Sequence, residues 1–531
     1  YNALLLTMNT NTMESKVFII IVVAVSALKL LLIVAYRSTD FEVHRNWMAI
    51  THSFPLKDWY FDTASEWTLD YPPFFAFFEL FLSKFATLFD PEMLQVGNLN
   101  YKSDQTILFM RLSVIVCDIP FLVSASLLSS HLYSQLMVND PNGEKVAGHS
   151  KSRNPLAVFA LVAFNAGLIL VDHIHFQYNG FLMSFLFMSI YFCSSKRYLL
   201  AAACFSTLVL MKHLFVLLAP VFAVFLLRHH CGLQEGSLCL SRFVQLVGIA
   251  VSAVLLAFGP LVASCMWWGG QCSQCSQWQG RQVLARLFPF GRGLVHAYWA
   301  PNLWALYCLA DKVLAAVLRL GGVPLAPGSR HSAAGLVGDF QLAVLPLVPA
   351  WLCLLLTLLA LLPSLRAPGK AIGPGEGLVR SLVLASLSSF LLGYHVHEKA
   401  VLTPLLLQML LSGGGPADGL LALLLLHAGC GGLLPLLPGP QELPLKVSIL
   451  AACVSAAPRL CELAGGYHFT ASQRRVLLAS RTALGMQVLL CEGVFPWLLG
   501  ARLPFLPLMT TSAWCATQLL CCWGLALAAM R

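Results

Sequence analysis

Residues 17–36 read VFIIIVVAVSALKLLLIVAY, and residues 37–47 continue RSTDFEVHRNW. The first stretch is apolar except for Ser26 and the charged Lys29. At 1.5 Å per residue, about 20 residues of helix cross a hydrocarbon layer of about 30 Å. No small-residue cleavage pattern follows it, so the run is expected to stay in place as a signal anchor. The chain opens on Tyr1 rather than Met, as a chain missing its first residues would. The second stretch turns abruptly polar where the bilayer must end, and it crowds acids, bases and aromatic rings together.

Working outward, further apolar runs lie near 106–132, 155–172, 180–194, 198–211, 213–227 and 243–267. Others follow near 302–320, 341–363, 380–394, 399–413, 417–436, 443–457, 482–499 and 504–529. Several are short or nearly fused, which gives an expectation of about 10–14 transmembrane segments. The runs are continuous rather than alternating, so the spanning form is helical and the fold class an all-α polytopic membrane protein. Composition agrees: 58% of the 531 residues are hydrophobic and 11% are charged, against roughly a quarter charged in a soluble domain. The net charge of +9 is dispersed over residues that flank apolar runs, which fits headgroup anchoring and excludes a nucleic-acid partner. The 17 cysteines cannot all pair with one another. Most, such as Cys117, Cys204 and Cys453, sit inside apolar runs as small hydrophobes. Cys272 and Cys275 form the single CxxC, with a lumenal disulfide as one reading.

The chain divides into an N-terminus with the first helix (1–36), a polar loop (37–104), a membrane core (105–410) and C-terminal helices (411–531). Residues 37–104 carry ten of the 24 acidic residues and five basic ones. The later loops carry Lys145, Lys151 and Arg153, then Lys196, Arg197 and Arg228. The positive-inside rule therefore places the acidic loop on the side opposite the cytosol. No internal repeat is evident, which argues against a transporter of inverted halves. Residues 413–440, rich in Leu, Gly, Pro and Ala, read as featureless membrane filler.

Five clusters could carry chemistry. The first, TDFEVHRNW (39–47), is either a solvated interfacial stretch or, with SEWTLDYPP (65–73), a sugar site. Carboxylates beside aromatic faces suit hydroxyls and sugar C–H faces. Pro72 and Pro73 hold the chain after Asp70 extended. DHIHFQYNG (172–180) offers a hydrogen-bonding shelf, a structural cap, or a metal site through Asp172, His173 and His175. The stretch from Arg286 to Trp304 mixes arginines, aromatics and glycines at a membrane edge, where Arg can clamp phosphate or merely anchor. HVHEK (395–399) packs ionisable groups between two apolar runs. Asp118, inside the second run, is either functional or the partner of a buried base such as Lys29.

Together TDFEVHRNW, SEWTLDYPP, DHIHFQYNG, RGLVHAYWAPN (292–302) and HVHEK resemble the lumenal glucosyltransferases of the endoplasmic reticulum that use dolichyl-phosphate-glucose in asparagine-linked glycosylation. Within that family the chain is more similar to the enzyme acting second, because HAYWAPN follows the RGL. The resemblance runs in order from about residue 37 to 405. It implies a GT-C type fold with a large lumenal loop after the first helix, and an inverting α-1,3 transfer with no bound metal and no cofactor. It implies a dolichyl-phosphate-glucose donor, a monoglucosylated dolichyl-diphosphate oligosaccharide acceptor and a lipid environment. The matching base is Asp40. Substrate contacts are expected from Glu42, His44, Arg45, Asp70, Tyr71, Asp172, His173, His175, Gln177, Tyr178, Asn179, Arg292, His296, His397, Glu398 and Lys399. Arg292, His397 and Lys399 are the phosphate candidates. Phosphate leaves without needing a proton, so one carboxylate base can suffice. A lumenal His397 requires that one run between about 294 and 363 be re-entrant or interfacial. A lipid or solute transporter is the rival class, and a non-catalytic scaffold subunit a lesser one.

Overall fold

The computed structural model describes residues 13–138, 153–268, 279–288, 293–296, 300–324, 342–366, 373–500 and 502–530. Arg292, Lys145, Lys151, Cys272 and Cys275 lie outside the described residues. Among the described residues there is no strand, and nine helices are long and apolar enough to cross a membrane. Four shorter apolar helices, Asn179–Ser194, Tyr198–Met211, His213–His229 and Ala350–Leu365, accompany them. The chain is an all-α multi-pass membrane protein. It forms two compact units, one built from residues 1–128 and 171–289, the other from 129–170 and 290–531.

In the first unit, α1 (Met13–Leu31) runs on through a 3-10 turn, Leu32–Val34, so the first span lies slightly earlier than expected. Its Lys29 is buried and donates to Asp118 of the helix Asp104–Val138, Nζ to Oδ2 at 2.6 Å. Of the two readings of Asp118, partnership with the buried lysine is the one observed. Breaking such a pair by removing one member costs about 3–5 kcal/mol.

Residues 37–104, the polar loop between the first two spans, carry two helices joined by turns. Ser38 accepts from the backbone N–H of Asp40 at 3.1 Å and caps α2 (Thr39–Ser53). Asp40 and Glu42 in the first turn suit its positive end. Pro72 is extended, at φ −61 and ψ 162, and Pro73 opens α3 (Pro73–Ala86) at the one helical position where a missing N–H is harmless. The two helices pack through His44, Trp47 and Phe75, whose rings meet edge-on or tilted. The polar face of α2 is thus turned inward. In chain order, α4 (Asp104–Val138) and, in the second unit, α5 (Pro155–Ala163) come next; α6 (Asn179–Ser194), α7 (Tyr198–Met211), α8 (Ala219–His229), α9 (Leu240–Trp268) and α10 (Gln279–Leu287) complete the first unit. Here α6 packs on α7, and α7 on α3 and α9.

The second unit holds α5 and the helices α11 (Leu303–Leu320), α12 (Ala350–Leu361), α13 (Pro374–Leu392), α14 (Leu402–Leu411), α15 (Pro416–Leu433), α16 (Leu443–Gly465), α17 (Ala471–Val488), α18 (Phe495–Leu499) and α19 (Leu506–Ala528). Neither α11 nor α12 is among the nine span-length apolar helices. α11 carries Asp311, Lys312 and Arg319, and α12 is 12 residues long.

Residues 413–440 are not filler. The span Pro416–Leu436 is the most enclosed of the nine jointly with Pro155–Phe176, each 83% buried. A Cβ on Gly419 would meet the Tyr467 hydroxyl at 1.8 Å, and one on Gly432 would meet Pro301 at 2.6 Å. The glycines are there because neighbouring groups approach the helix backbone closely. Low sequence complexity concealed tight packing.

Candidate active site

Asp40 is the second residue of α2, and its side chain is 20% exposed. Two side chains from the end of the third span, His175 and the nearby Gln177, reach its Oδ2. Gln177 donates through Nε2 at 2.5 Å, and His175 Nε2 lies 3.2 Å away. Ser38, the cap of α2, also donates through its hydroxyl to the carbonyl of His175, so the same short segment is tied to the helix start.

The backbone explains how His175 and Gln177 both reach one carboxylate. Residues Ile169–Phe176 form a π-helical turn, a rare form that is frequent at functional sites. It ends on Phe176 at φ 91, an unfavourable region for a bulky residue. Phe176 is fully buried, with edge-on contacts to Phe41 and Tyr178. That packing holds the reversal which presents its two neighbours to Asp40.

Around this centre, the half-buried Tyr71 lies near Asp70, Asp40, Asp172 and Glu79. Burial, then those charges in that order, hold its phenol well above its ordinary range. Lys212 lies over the Tyr71 ring at 5.4 Å and donates to Asn179 Oδ1 at 3.1 Å. Asn179 and the Gly180 N–H donate to the two oxygens of Asp172, at 2.8 and 2.7 Å. Asp40, Asp70, Tyr71, Asp172, His175, Gln177 and Asn179 therefore share one neighbourhood, with Lys212 as a cation in it.

Other expected contact residues face inward. Arg45 is fully buried and grips Glu42 in a fork, with Nε–Oε2 at 2.7 Å and Nη2–Oε1 at 2.6 Å; its Nη1 donates to the Met93 carbonyl at 2.6 Å. His44 Nδ1 pairs with buried Glu79 at 2.7 Å. Burial raises Glu79 above the usual carboxylate range, opposed by His44. Tyr178 meets the Ser113 hydroxyl at 2.7 Å. His173 turns to Asp118, at 2.7 Å. His173, His175 and Asp172 thus go to three separate partners, so the metal alternative for DHIH is not assembled.

In the second unit, the loop 293–296 lies against HVHEK. His395 donates its backbone N–H to the Leu294 carbonyl and its Nδ1 faces the Gly293 carbonyl, both at 3.0 Å. The His296 and His397 rings lie 3.8 Å apart, and His296 Nδ1 faces buried Glu398 at 3.4 Å. Burial, then His296, holds His397 well below the usual imidazole range. Burial alone would raise Glu398, but His296, Lys399 and His397 outweigh it and hold the carboxylate well below its usual range. Lys399 is half-buried beside them.

The sequence reading passed over Arg111, Glu79 and Lys212. Arg111, buried in α4, donates to the carbonyls of His173 at 2.8 Å, Ile174 at 3.0 Å and Tyr36 at 2.6 Å. The available signal was charge: each is an ionisable group within or between apolar stretches.

The model of the ALG6, ALG8 glycosyltransferase family matches residues 25–526. A Bos taurus protein named dolichyl pyrophosphate Glc1Man9GlcNAc2 alpha-1,3-glucosyltransferase is 40% identical, over 96% of this chain and 94% of its own. An Arabidopsis thaliana protein of that name is 40% identical, over 94% of each chain. A Drosophila melanogaster protein with that name prefixed "probable" is 41% identical, over 94% of this chain and 91% of its own.

Proposed function

The chain belongs to the ALG6, ALG8 glycosyltransferase family, and from that premise we propose that it moves glucose from dolichyl-phosphate-glucose to the terminal glucose of a monoglucosylated dolichyl-diphosphate oligosaccharide. The linkage formed is α-1,3. The observation that carries the catalytic part is Asp40, half-buried at a helix start with Oδ2 fixed by Gln177 and faced by His175. Asp40 takes the proton of the acceptor's C3 hydroxyl. The oxygen then attacks the anomeric carbon from the side opposite the lipid phosphate, the C–O bond to phosphate breaks, and the phosphate departs with the bonding pair. Inversion of the β-linked donor gives the α product. Asp70, Tyr71, Asp172, His175, Gln177 and Asn179 surround the sugars. Glu42, His44, Arg45, His173 and Tyr178 act from beneath, by fixing α2 and the 172–180 segment. His397 and Lys399, flanked by His296 and Glu398, are the residues for the phosphate, together with Arg292. A transporter is disfavoured by the membership of a glycosyltransferase family.

The test is transfer by the purified chain with defined lipids. Glucose should pass from dolichyl-phosphate-glucose to the monoglucosylated acceptor and not to the unglucosylated one. The reverse preference would make this the enzyme of the preceding step.

The active centre faces the lumen of the endoplasmic reticulum, a reading supported by the acidic segment 37–104 and the basic loop 138–153. The chain has no Asn-X-Ser/Thr of its own. Lys102→Thr creates one at exposed Asn100, and Glu144→Thr creates one at Asn142. Expressed in cells, the first variant should gain an endoglycosidase-sensitive glycan and the second should not. The opposite pattern would invert the orientation.

A further inference from the structure

We propose that His296, His395 and His397 form a binding site for a divalent transition-metal ion of the zinc class. The nitrogens that these three residues offer lie within 4.8 Å of one another. Tetrahedral zinc with bonds of about 2.0–2.1 Å sets its ligands about 3.4 Å apart, so side-chain adjustments of about an ångström close the set. Imidazole nitrogens select zinc, copper, nickel or cobalt over magnesium and calcium. Water fills the remaining position.

The surroundings are those of a ligating set. His395 Nδ1 points at the Gly293 carbonyl at 3.0 Å; a carbonyl only accepts, so Nδ1 carries the hydrogen and Nε2 keeps its lone pair. His296 Nδ1 faces the Glu398 carboxylate at 3.4 Å, which favours the same tautomer. Backbone carbonyls and carboxylates behind the distal ring nitrogen are the usual support of metal-bound histidines. Glu398 adds a buried carboxylate beside the set. It is 1% exposed and faces His296 Nδ1 at 3.4 Å. A cation held by the adjoining imidazoles adds positive charge next to this buried carboxylate. His395 itself sits at φ 51, a left-handed conformation that histidine adopts more readily than most residues, and one that marks a held position.

The ion is not part of the transfer chemistry. If His397 also meets the donor phosphate, as proposed above, ion and donor compete for one imidazole, and zinc acts as an inhibitor. That consequence rests on the phosphate reading; the site does not.

The experiment titrates Co²⁺ into the full chain, purified in detergent without a polyhistidine tag, and follows the visible absorption of bound cobalt. Saturable absorption should appear in the wild type and in Cys272→Ser/Cys275→Ser. It should be lost in His395→Gln/His397→Gln, whose metal-free melting temperature should match wild type. No absorption in the wild type overturns the proposal, as does absorption that survives the histidine changes or vanishes with the cysteine pair. If the histidine variant melts early, the single changes His296→Gln and His395→Gln replace it, and full cobalt binding by both overturns the site. A parallel arm measures transfer with added Zn²⁺. Histidine-dependent cobalt binding with an unchanged KM for the donor lipid would uphold the site and remove His397 from the phosphate.

Discussion

Asp40→Asn should slow glucose transfer by about 10²–10⁴-fold, the usual contribution of a general base, while leaving the protein folded. The amide keeps the carboxylate's shape, and its oxygen can still accept from Gln177 Nε2, which now bonds Oδ2. The cap of α2 does not depend on the side chain either, because Ser38 bonds the Asp40 backbone N–H. What is lost is an oxygen basic enough to take the C3 proton. The loss should fall on kcat, with KM for acceptor and donor nearly unchanged; a binding role would show the opposite split.

Neighbouring carboxylates separate chemistry from scaffold. Asp70→Asn, beside the half-buried Tyr71, should raise KM with little change in kcat. Glu42→Gln should act through folding, because it leaves the Arg45 guanidinium fully buried without its bidentate partner. The yield of monodisperse protein should drop, and the surviving fraction should turn over at close to the normal rate. Full turnover in Asp40→Asn, with Asp70→Asn inactive, would move the base to Asp70.

These controls also mark where sequence and structure part. Hydropathy was enough for the nine long spans among the described residues, because a bilayer tolerates only long apolar helices; it also marked 302–320 and 341–363, whose helices fall short of that length or apolarity. Apolar Val17–Tyr36 and its single Lys29 were legible for that reason, as was the suggestion that a buried base would seek Asp118, which it does at 2.6 Å. Within the loop 37–104 the inward turn of α2 was not legible, because α2 buries its charges. In TDFEVHRNW, Glu42, His44 and Arg45 are all interior, so the polar-outside rule reverses. The divergence of His173 and His175 depends on a π-helical turn and a left-handed Phe176, features of backbone geometry that residue types do not announce. HVHEK was legible as a cluster. Its apposition with His296 needed the chain to bring positions about a hundred residues apart together, which no local pattern records.

Arg111→Met should cost about 10²-fold in kcat, although its side chain contacts no residue assigned to the substrate through that residue's own side chain. Its guanidinium spans three carbonyls, His173 and Ile174 before the reversal and Tyr36 before the cap of α2. It also lies 5.8 Å from the Phe176 ring centroid, over the residue held in the left-handed region. One side chain thereby fixes the distance between the two stretches that carry Asp40 on one side and His175 and Gln177 on the other. Methionine fills the volume but removes this donor from the His173, Ile174 and Tyr36 carbonyls, at about 1–3 kcal/mol for each buried group left unsatisfied. The turn must then relax, and a displacement of about 1 Å at a reacting group is worth about 10²-fold in rate. Lysine offers a second arm of the test. Its ammonium can serve one or two of the carbonyls but lacks the planar fork, so Arg111→Lys should recover part of the rate and part of the stability. The measurement is single-turnover transfer at saturating lipids, normalised to the monodisperse fraction. A purely structural role predicts fewer folded molecules, each with the normal kcat. A positioning role predicts a lower kcat per folded molecule with KM nearly unchanged and partial rescue by lysine; normal turnover in folded Arg111→Met would refute it.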